Sequence, residues 1–163
     1  MNIGMSSGTS LFTISVIMYL LQKNIQRIYI MKPTLPDITS AKVAIPAVLF
    51  LTLSPGFLLS TDGKKVSFTR DNTSTKFVLF HALVFFLVFS LVAKYFKIVL
   101  TKTDLIVTTL LFVALSPGLL LTIPSGKGGL YRSGETSIAA QLTHTLVFAL
   151  VFAILRKQFP QFY

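Results

Sequence analysis

The chain contains one module written twice, and this internal repeat constrains its fold more than any other feature. The segment Leu53–Gly56 (LSPG) returns as Leu115–Gly118, and the run that begins at His81 (HALVFFLVFSLVAKYF) returns from His144 (HTLVFALVFAILRKQF). The second pair is offset by one residue more than the first, so the intervening loop differs in length by one residue between the copies. A repeat at this period indicates two structural units of like design.

Charge is segregated along the chain in the way expected of a membrane protein. Only 12% of the 163 residues are charged and 53% are hydrophobic, whereas soluble domains carry about 25% charged residues. Charged residues are missing from four runs, each of 17 or 18 residues: Val43–Leu59, Phe77–Ala93, Leu105–Leu121 and Ile138–Leu155. As helices these runs are each about 26 Å long, close to the thickness of a bilayer core. The sequence therefore predicts an integral membrane protein.

We predict an all-α, polytopic helical membrane protein made of two transmembrane hairpins and an N-terminal helix. Residues 41–98 form the first hairpin repeat, and residues 99–163 form the second together with a C-terminal tail. Each repeat reads as helix, polar loop and helix, with the loops at Ser60–Lys76 and Thr122–Ser137. Because each repeat has an even number of spans, the two copies are parallel repeats that enter the membrane from the same side. A short β-ribbon is expected at Lys64–Arg70, and glycines weaken that expectation in the second loop.

Residues 1–40 precede the repeats and read as one helix followed by a linker. The apolar residues of this segment share one helical face, which predicts a helix from about Ser10 to Met31. Pro33 and Pro36 then end the helix. The helix either spans the membrane or lies in its interface, and the pattern leaves both interpretations open.

Basic residues occur in every connecting segment and give the chain a net charge of +10. Such segments favour a lipid bilayer with anionic headgroups, or acidic protein surfaces, and each basic group near a membrane contributes about 1 kcal/mol. No loop combines a dense basic run with interleaved aromatic residues, so specific nucleic-acid binding is not expected. The side chains expected to contact partners or lipid are Lys64, Lys65, Arg70, Lys127 and Arg132.

The repeated Ser-Pro-Gly motif and the repeated histidine are expected to pair across each hairpin. We place both prolines inside their helices, about two turns before the ends, where each frees the carbonyl four residues earlier, on Leu51 or Val113. In an antiparallel hairpin the serine and histidine then lie at similar depth, and the glycine lets the facing helix approach closely. The predicted structural pairs consist of Ser54, Pro55, Gly56 and His81 in the first copy and Ser116, Pro117, Gly118 and His144 in the second.

Three interpretations of the histidines follow, of which the structural one is favoured. A neutral histidine donates to the freed carbonyl or to the serine and fixes the hairpin. The second interpretation is a proton relay or pore-lining pair, since ionisable groups within spans are often functional, but no intramembrane carboxylate accompanies either histidine. The third, a metal site, lacks further ligands in the sequence. No acid–base pair or nucleophile constellation is present, so we expect neither an enzyme nor a cofactor.

The second module, from Leu105 to Ile154, resembles a family of short plant membrane proteins known as domain of unknown function 3339. The residues that carry the resemblance are Leu115–Leu120, Pro124, Gly126, Lys127, Thr136, Ser137 and His144. Similar modules, sometimes in tandem, occur in membrane proteins of large DNA viruses of algae and protists. The resemblance implies a two-helix hairpin unit and transfers no activity.

These observations lead to one expected function and two alternatives. The expected function is a structural multi-pass protein of the inner membrane of a large DNA virus virion, derived from host endomembrane. Its hairpins anchor it in that membrane, and its basic loops contact capsid proteins as a minor capsid component. The first alternative is a supernumerary subunit of a large cellular membrane complex. The second is a small channel or transporter that uses His81 and His144.

Overall fold

The structure of the protein is a computed structural model that describes residues 16–20, 22–23, 36–61, 64, 66–67 and 74–163. It divides into two compact units, residues 1–35 and residues 36–163. In the first unit, residues 16–20 and 22–23 are helical and exposed. Most of the predicted N-terminal helix lies outside the described residues, and so does the choice between a spanning and an interfacial helix.

The second unit is mostly helical, and its described residues form four α-helices and two short β-ribbons. The helices are α1 (Ala41–Leu53), α2 (Thr75–Tyr95), α3 (Lys102–Leu115) and α4 (Ile138–Gln158). In the first module β1 (Ser60–Thr61) pairs with β2 (Val66–Ser67), and in the second β3 (Leu121–Gly126) pairs with β4 (Gly129–Tyr131), both antiparallel. A single 3-10 turn, Pro160–Phe162, follows α4.

The β-ribbons differ from the prediction, because the glycine-rich second loop also forms a ribbon, with strands of 6 and 3 residues. There the glycines form the turn instead of interrupting the strands, and Gly129 takes the left-handed conformation with φ +88°. The chain is mostly helical, as the all-α prediction states, but the two short β-ribbons are not part of that fold class.

The starts of the helices follow from capping residues in the sequence. Ser74 and Ser137 precede α2 and α4, and their side chains accept hydrogen bonds from the amides of Phe77 and Ala140. Thr101 begins α3 through a reciprocal capping box with Asp104. Each of these side chains satisfies an amide that has no partner within its helix, which stabilises the helix start by about 1 kcal/mol.

Helix length separates the four helices into two classes. The helices α2 and α4 have 21 residues each and are long and apolar enough to cross a membrane, since 21 residues span about 31 Å. The helices α1 and α3 have only 13 and 14 residues and span about 20 Å. Four runs of nearly equal length were predicted, so the two shorter helices are a correction to the sequence analysis.

The four helices pack with an approximate two-fold relation between the modules. Each of α1 and α3 packs against both α2 and α4, and the most extensive packing joins α1 to α4 and α2 to α3. Helix–helix packing between the modules is therefore more extensive than helix–helix packing within each hairpin. The exchange of α1 with α3 and of α2 with α4 maps one module onto the other.

Six fully buried phenylalanines form the centre of this packing, three from each module. Phe50 and Phe112 are equivalent under the module exchange, and their ring centroids lie 5.3 Å apart. Phe50 also stacks on Phe148 at 4.9 Å, and the equivalent pair, Phe85 and Phe112, lies at the same 4.9 Å. Such aromatic pairs contribute about 0.5–1.5 kcal/mol each beyond the burial of their area. The remaining members are Phe89 and Phe152.

The outer faces of the two long helices are also apolar. Residues four apart along α2 are 52–67% exposed, and the equivalent residues along α4 are 36–54% exposed. They are Leu79, Leu83, Leu87 and Leu91 on α2 and Leu142, Leu146, Leu150 and Ile154 on α4. Each long helix is therefore apolar both toward the core and toward its surroundings.

Candidate functional site

The helices α1 and α3 end where they do because of the proline in the repeated motif. Proline disfavours the helical conformation of the residue before it. Ser54 accordingly has an extended ψ of 132° and Ser116 one of 119°, and each helix ends one residue earlier, at Leu53 and Leu115. The prediction that the prolines lie inside their helices is therefore wrong.

The proline and glycine form a tight turn directly after each helix. Gly56 has φ +84° and Gly118 has φ +88°, and proline followed by a left-handed glycine is the sequence pattern of a type II turn. The turn hydrogen bonds run from Phe57 N to Ser54 O at 3.1 Å and from Leu119 N to Ser116 O at 3.3 Å. The glycines thus serve the turn conformation, whereas the sequence analysis assigned them to close helix approach.

Each buried serine satisfies a carbonyl at the end of its own helix. Ser54 Oγ donates to Phe50 O, and Ser116 Oγ donates to Phe112 O, both at 2.6 Å. The carbonyls of the last turn of a helix lack intrahelical partners. A hydroxyl four residues further on supplies one such partner where the chain leaves the helix.

The histidine of each module joins the end of the short helix to the strand that follows the turn. His81 Nδ1 lies 2.7 Å from Leu53 O, and Thr61 N donates to His81 Nε2 at 3.1 Å. We call this pair of bonds the histidine bridge. In the second module, His144 makes the same two bonds, to Leu115 O at 2.7 Å and from Ile123 N at 3.1 Å. The two copies therefore agree in both distances.

The partners of the ring determine its tautomer. A carbonyl oxygen only accepts, so Nδ1 carries the hydrogen, and a backbone amide only donates, so Nε2 is the acceptor. Each histidine is thus neutral with both nitrogens engaged. The bridged carbonyls belong to Leu53 and Leu115, so the predicted partners, Leu51 and Val113, are wrong because the helices end before the prolines.

Sequence reasoning missed a polar contact between the modules. Gln141, which is fully buried, donates from Nε2 to Pro55 O at 3.3 Å, and its Oε1 has no partner among the described residues. The equivalent position in the first module is Val78, also fully buried. This contact therefore exists once, from the second module to the turn of the first. A lone glutamine inside the uncharged run Ile138–Leu155 was the available signal.

A second missed feature is a buried ion pair at the opposite end of the second module. The fully buried Asp104, which belongs to the capping box of α3, accepts a hydrogen bond from Arg156 on α4. The guanidinium lies over the rings of Phe152 at 5.6 Å and Tyr163 at 5.3 Å. Burial raises the pKa of the Tyr163 hydroxyl, and the negative charge of Asp104 adds to that shift.

The structure describes three of the five loop residues that are predicted to contact partners or lipid. Lys64, Lys127 and Arg132 are exposed at the loop end of the bundle, whereas Lys65 and Arg70 lie outside the described residues. Within the ranges that the structure describes, no group of three histidine, cysteine, aspartate or glutamate side chains is arranged to hold a metal ion.

Together the fold and the two bridges define a protein of two tandem helical hairpins. In each hairpin the short helix ends before a proline, and a histidine of the long helix binds the carbonyl at that end. A family model described as protein of unknown function (DUF3339) matches residues 38–101 and again residues 102–158. The chain belongs to this family and carries two copies of its module, which confirms the resemblance noted from the sequence. No curated protein and no solved structure matches the chain.

Proposed function

We propose that this chain is a structural multi-pass membrane protein without enzymatic activity. The observation that carries the proposal is the histidine bridge, present in both modules with the same partners and distances. Its role is to satisfy backbone groups where the short helices stop. The apolar outer faces of α2 and α4 support a location in lipid, since a helix that is apolar all round belongs in a core or in a membrane.

The bridge is what a bilayer location requires. His81 and His144 each follow the first residue of their helix by six positions, which places the bridge about 9 Å along α2 or α4. At that depth a carbonyl or amide without a partner costs several kcal/mol, because lipid offers no hydrogen bonds. The bridge supplies a partner both to the carbonyl at the end of the short helix and to the amide of the strand that follows the turn.

The same geometry disfavours the channel or relay alternative. Both ring nitrogens of His81 and His144 are engaged by backbone groups. A second proton on Nε2 would place an N–H against the N–H of Thr61 or Ile123. A relay would therefore break the bridge at each proton transfer. Proton flux in liposomes that the double variant H81A/H144A abolishes would support the relay and contradict the structural proposal.

Cysteine accessibility tests the hairpin topology directly, because the chain contains no cysteine. We expect K64C and K127C, in the two hairpin loops, to react with a membrane-impermeant maleimide from one side of a sealed vesicle. The variant K102C, between the modules, should react only from the other side. Labelling of the two loop variants from opposite sides would contradict parallel hairpins.

At the finer level, we propose the inner membrane of a large DNA virus virion as the location and capsid proteins as the partners. This rests on the resemblance to modules in such viruses and on the exposed basic loops. Crosslinking of native particles followed by mass spectrometry is the test. Crosslinks from Lys127 to capsid proteins would support the proposal. Crosslinks to subunits of a cellular membrane complex would instead favour the supernumerary-subunit alternative.

A further inference from the structure

The first module carries a pocket of about 220 Å³ on its outer side, between the end of α1, the turn and α2. Leu53, Leu58, Phe80 and Val84 line it, and Leu58 at its rim is 65% exposed. The ring of His81 also contributes, but both its nitrogens are engaged in the histidine bridge. The walls are therefore almost entirely apolar. Pockets that enclose a whole drug-sized ligand measure about 300–1,000 Å³, so this one suits a segment of a chain.

A positive charge lies on the same helical face as this pocket. Lys76, Phe80 and Val84 follow each other at intervals of four residues along α2, so their side chains share one face. Lys76 is exposed, and it lies about 6 Å along the helix axis from Phe80, toward the loop end. A lysine at that height extends its ammonium group toward the membrane surface while its stem covers apolar groups below.

The equivalent positions of the second module lack these features. Ala139 stands in place of Lys76, and Thr143 stands in place of Phe80. The histidine, the turn and the rim leucine, Leu120, are retained. The charge and the aromatic wall are therefore additions to the first module and are not required by the shared fold.

We propose that this pocket binds one acyl chain of an anionic phospholipid whose phosphate contacts Lys76. The apolar walls match an acyl chain, and the lysine matches the negative headgroup at the height where that chain ends. The ligand is a lipid of the surrounding bilayer, and we expect it at the first module, since the second lacks the lysine and the aromatic wall. The inference rests on the proposed membrane location of α2.

Site-selective fluorescence quenching tests the proposal, because the chain contains no tryptophan. The variants L58W and L120W place one tryptophan at each of the two equivalent rims. Each is reconstituted into phosphatidylcholine vesicles that contain a minor fraction of lipid with brominated acyl chains, either phosphatidylglycerol or phosphatidylcholine. We expect brominated phosphatidylglycerol to compete for the rim of L58W about fivefold better than brominated phosphatidylcholine, the ratio that one basic group provides. The two lipids should quench L120W equally.

Two further variants separate a site from general surface charge. K76A in the L58W background should abolish the preference for phosphatidylglycerol, whereas K127A, which removes an exposed lysine of the second module, should leave it unchanged. Equal quenching of L58W by both lipids, or equal loss with K76A and K127A, would overturn the lipid site. Quenching of L120W without quenching of L58W would also overturn it, because another protein segment would then cover the pocket.

The same experiment distinguishes failure of the site from failure of the proposed location. If vesicles made entirely of brominated phosphatidylcholine quench neither L58W nor L120W, the helices are not in the bilayer, and both proposals fall. If those vesicles quench both variants and no headgroup preference appears, the membrane location stands and only the lipid site is wrong.

Discussion

The two modules share the bonds of the helix break and differ in their buried polar groups. Both contain the type II turn, the serine hydrogen bond and the histidine bridge, and the distances of the serine bond and of the bridge are the same in the two copies. Only the second contains the buried ion pair of Asp104 and Arg156 and the buried amide of Gln141. The positions equivalent to these three residues in the first module are Lys42, Ala93 and Val78.

This difference distinguishes two kinds of contact. The backbone of each module requires the first kind, and the second kind forms only where two modules pack together. A proline-broken helix leaves a carbonyl without a partner wherever it occurs, so every copy of the module needs the bridge. The amide of Gln141 instead reaches across to Pro55 of the other module. It is a contact that two identical copies would make twice and that this chain makes once. The tandem arrangement therefore allows an asymmetry that the shared fold does not need.

Loss of either histidine is expected to produce the largest effect and to affect both modules equally. The variants H81A and H144A each remove the partners of one partly buried carbonyl and one partly buried amide, at about 1–3 kcal/mol for each unsatisfied group. We expect each variant to lower the free energy of unfolding by about 4 kcal/mol. Circular dichroism during denaturant titration in detergent micelles measures this quantity.

Asparagine at the same positions is the matched control. Its amide nitrogen can replace Nδ1 as the donor to Leu53 or Leu115, but the acceptor for the strand amide is lost. H81N and H144N should therefore cost about half as much as the alanine variants, since one of the two backbone groups keeps its partner. A large loss with H81A and none with H144A would show that the bridges are not energetically equivalent.

Removal of the ion pair should distinguish the modules. R156A leaves the fully buried carboxylate of Asp104 without its cation, and breaking a buried pair in this way costs about 3 kcal/mol. K42A, at the position equivalent to Asp104, removes a half-buried side chain that forms no ion pair among the described residues, and it should change the free energy of unfolding by less than about 0.5 kcal/mol. The same denaturant titration measures both. Equal effects of R156A and K42A would mean that the charge asymmetry contributes nothing to stability.

Truncation of the glutamine should have a smaller effect. Q141V gives the second module the residue that the first carries at the equivalent position. It removes the hydrogen bond to Pro55 O and also removes the unpartnered Oε1, so we expect a net loss of about 1 kcal/mol. The change in Tm measured by circular dichroism in micelles tests this. A rise in Tm would indicate that the unpartnered oxygen costs more than the contact between modules contributes.

The general architecture of this chain could be predicted from sequence because repetition and charge segregation are strong signals. The two copies of the module, their positions and the family resemblance follow from the sequence alone, and the family assignment is confirmed. The lengths of α1 and α3 were wrong because an uncharged run continues through the turn that ends each helix. Apolar composition does not distinguish a helix from a buried turn. The extended preference of Ser54 and Ser116 before proline was the signal that mattered.

The polar contacts between elements were harder to predict for a different reason. The capping role of Asp104 was readable from its position at the start of α3, but its partner Arg156 is 52 residues away. Such pairs depend on which helices become neighbours, and the sequence pattern does not specify that α4 packs on both α1 and α3. The histidine bridge was anticipated only as a contact across the hairpin. Its second bond, from the strand amide, requires the ribbon geometry that follows the turn.

The smallest expected effect comes from a substitution that makes the first module resemble the second. V78Q places an amide at the position equivalent to Gln141. The two-fold relation of the modules predicts that this amide faces Pro117 O, the equivalent of the Pro55 carbonyl that Gln141 binds. The new hydrogen bond should contribute about 1 kcal/mol, and the crowding of a larger side chain in the core should offset most of it.

V78M, which has a similar length and no donor, isolates the crowding. We therefore expect V78Q to have a higher Tm than V78M. The double variant V78Q/Q141V, which moves the amide from one module to the other, should recover less than half of the Tm lost in Q141V. If V78Q is no more stable than V78M in either background, the two-fold relation of the modules does not extend to this buried position, and the asymmetry of Gln141 reflects a real difference between the two turns.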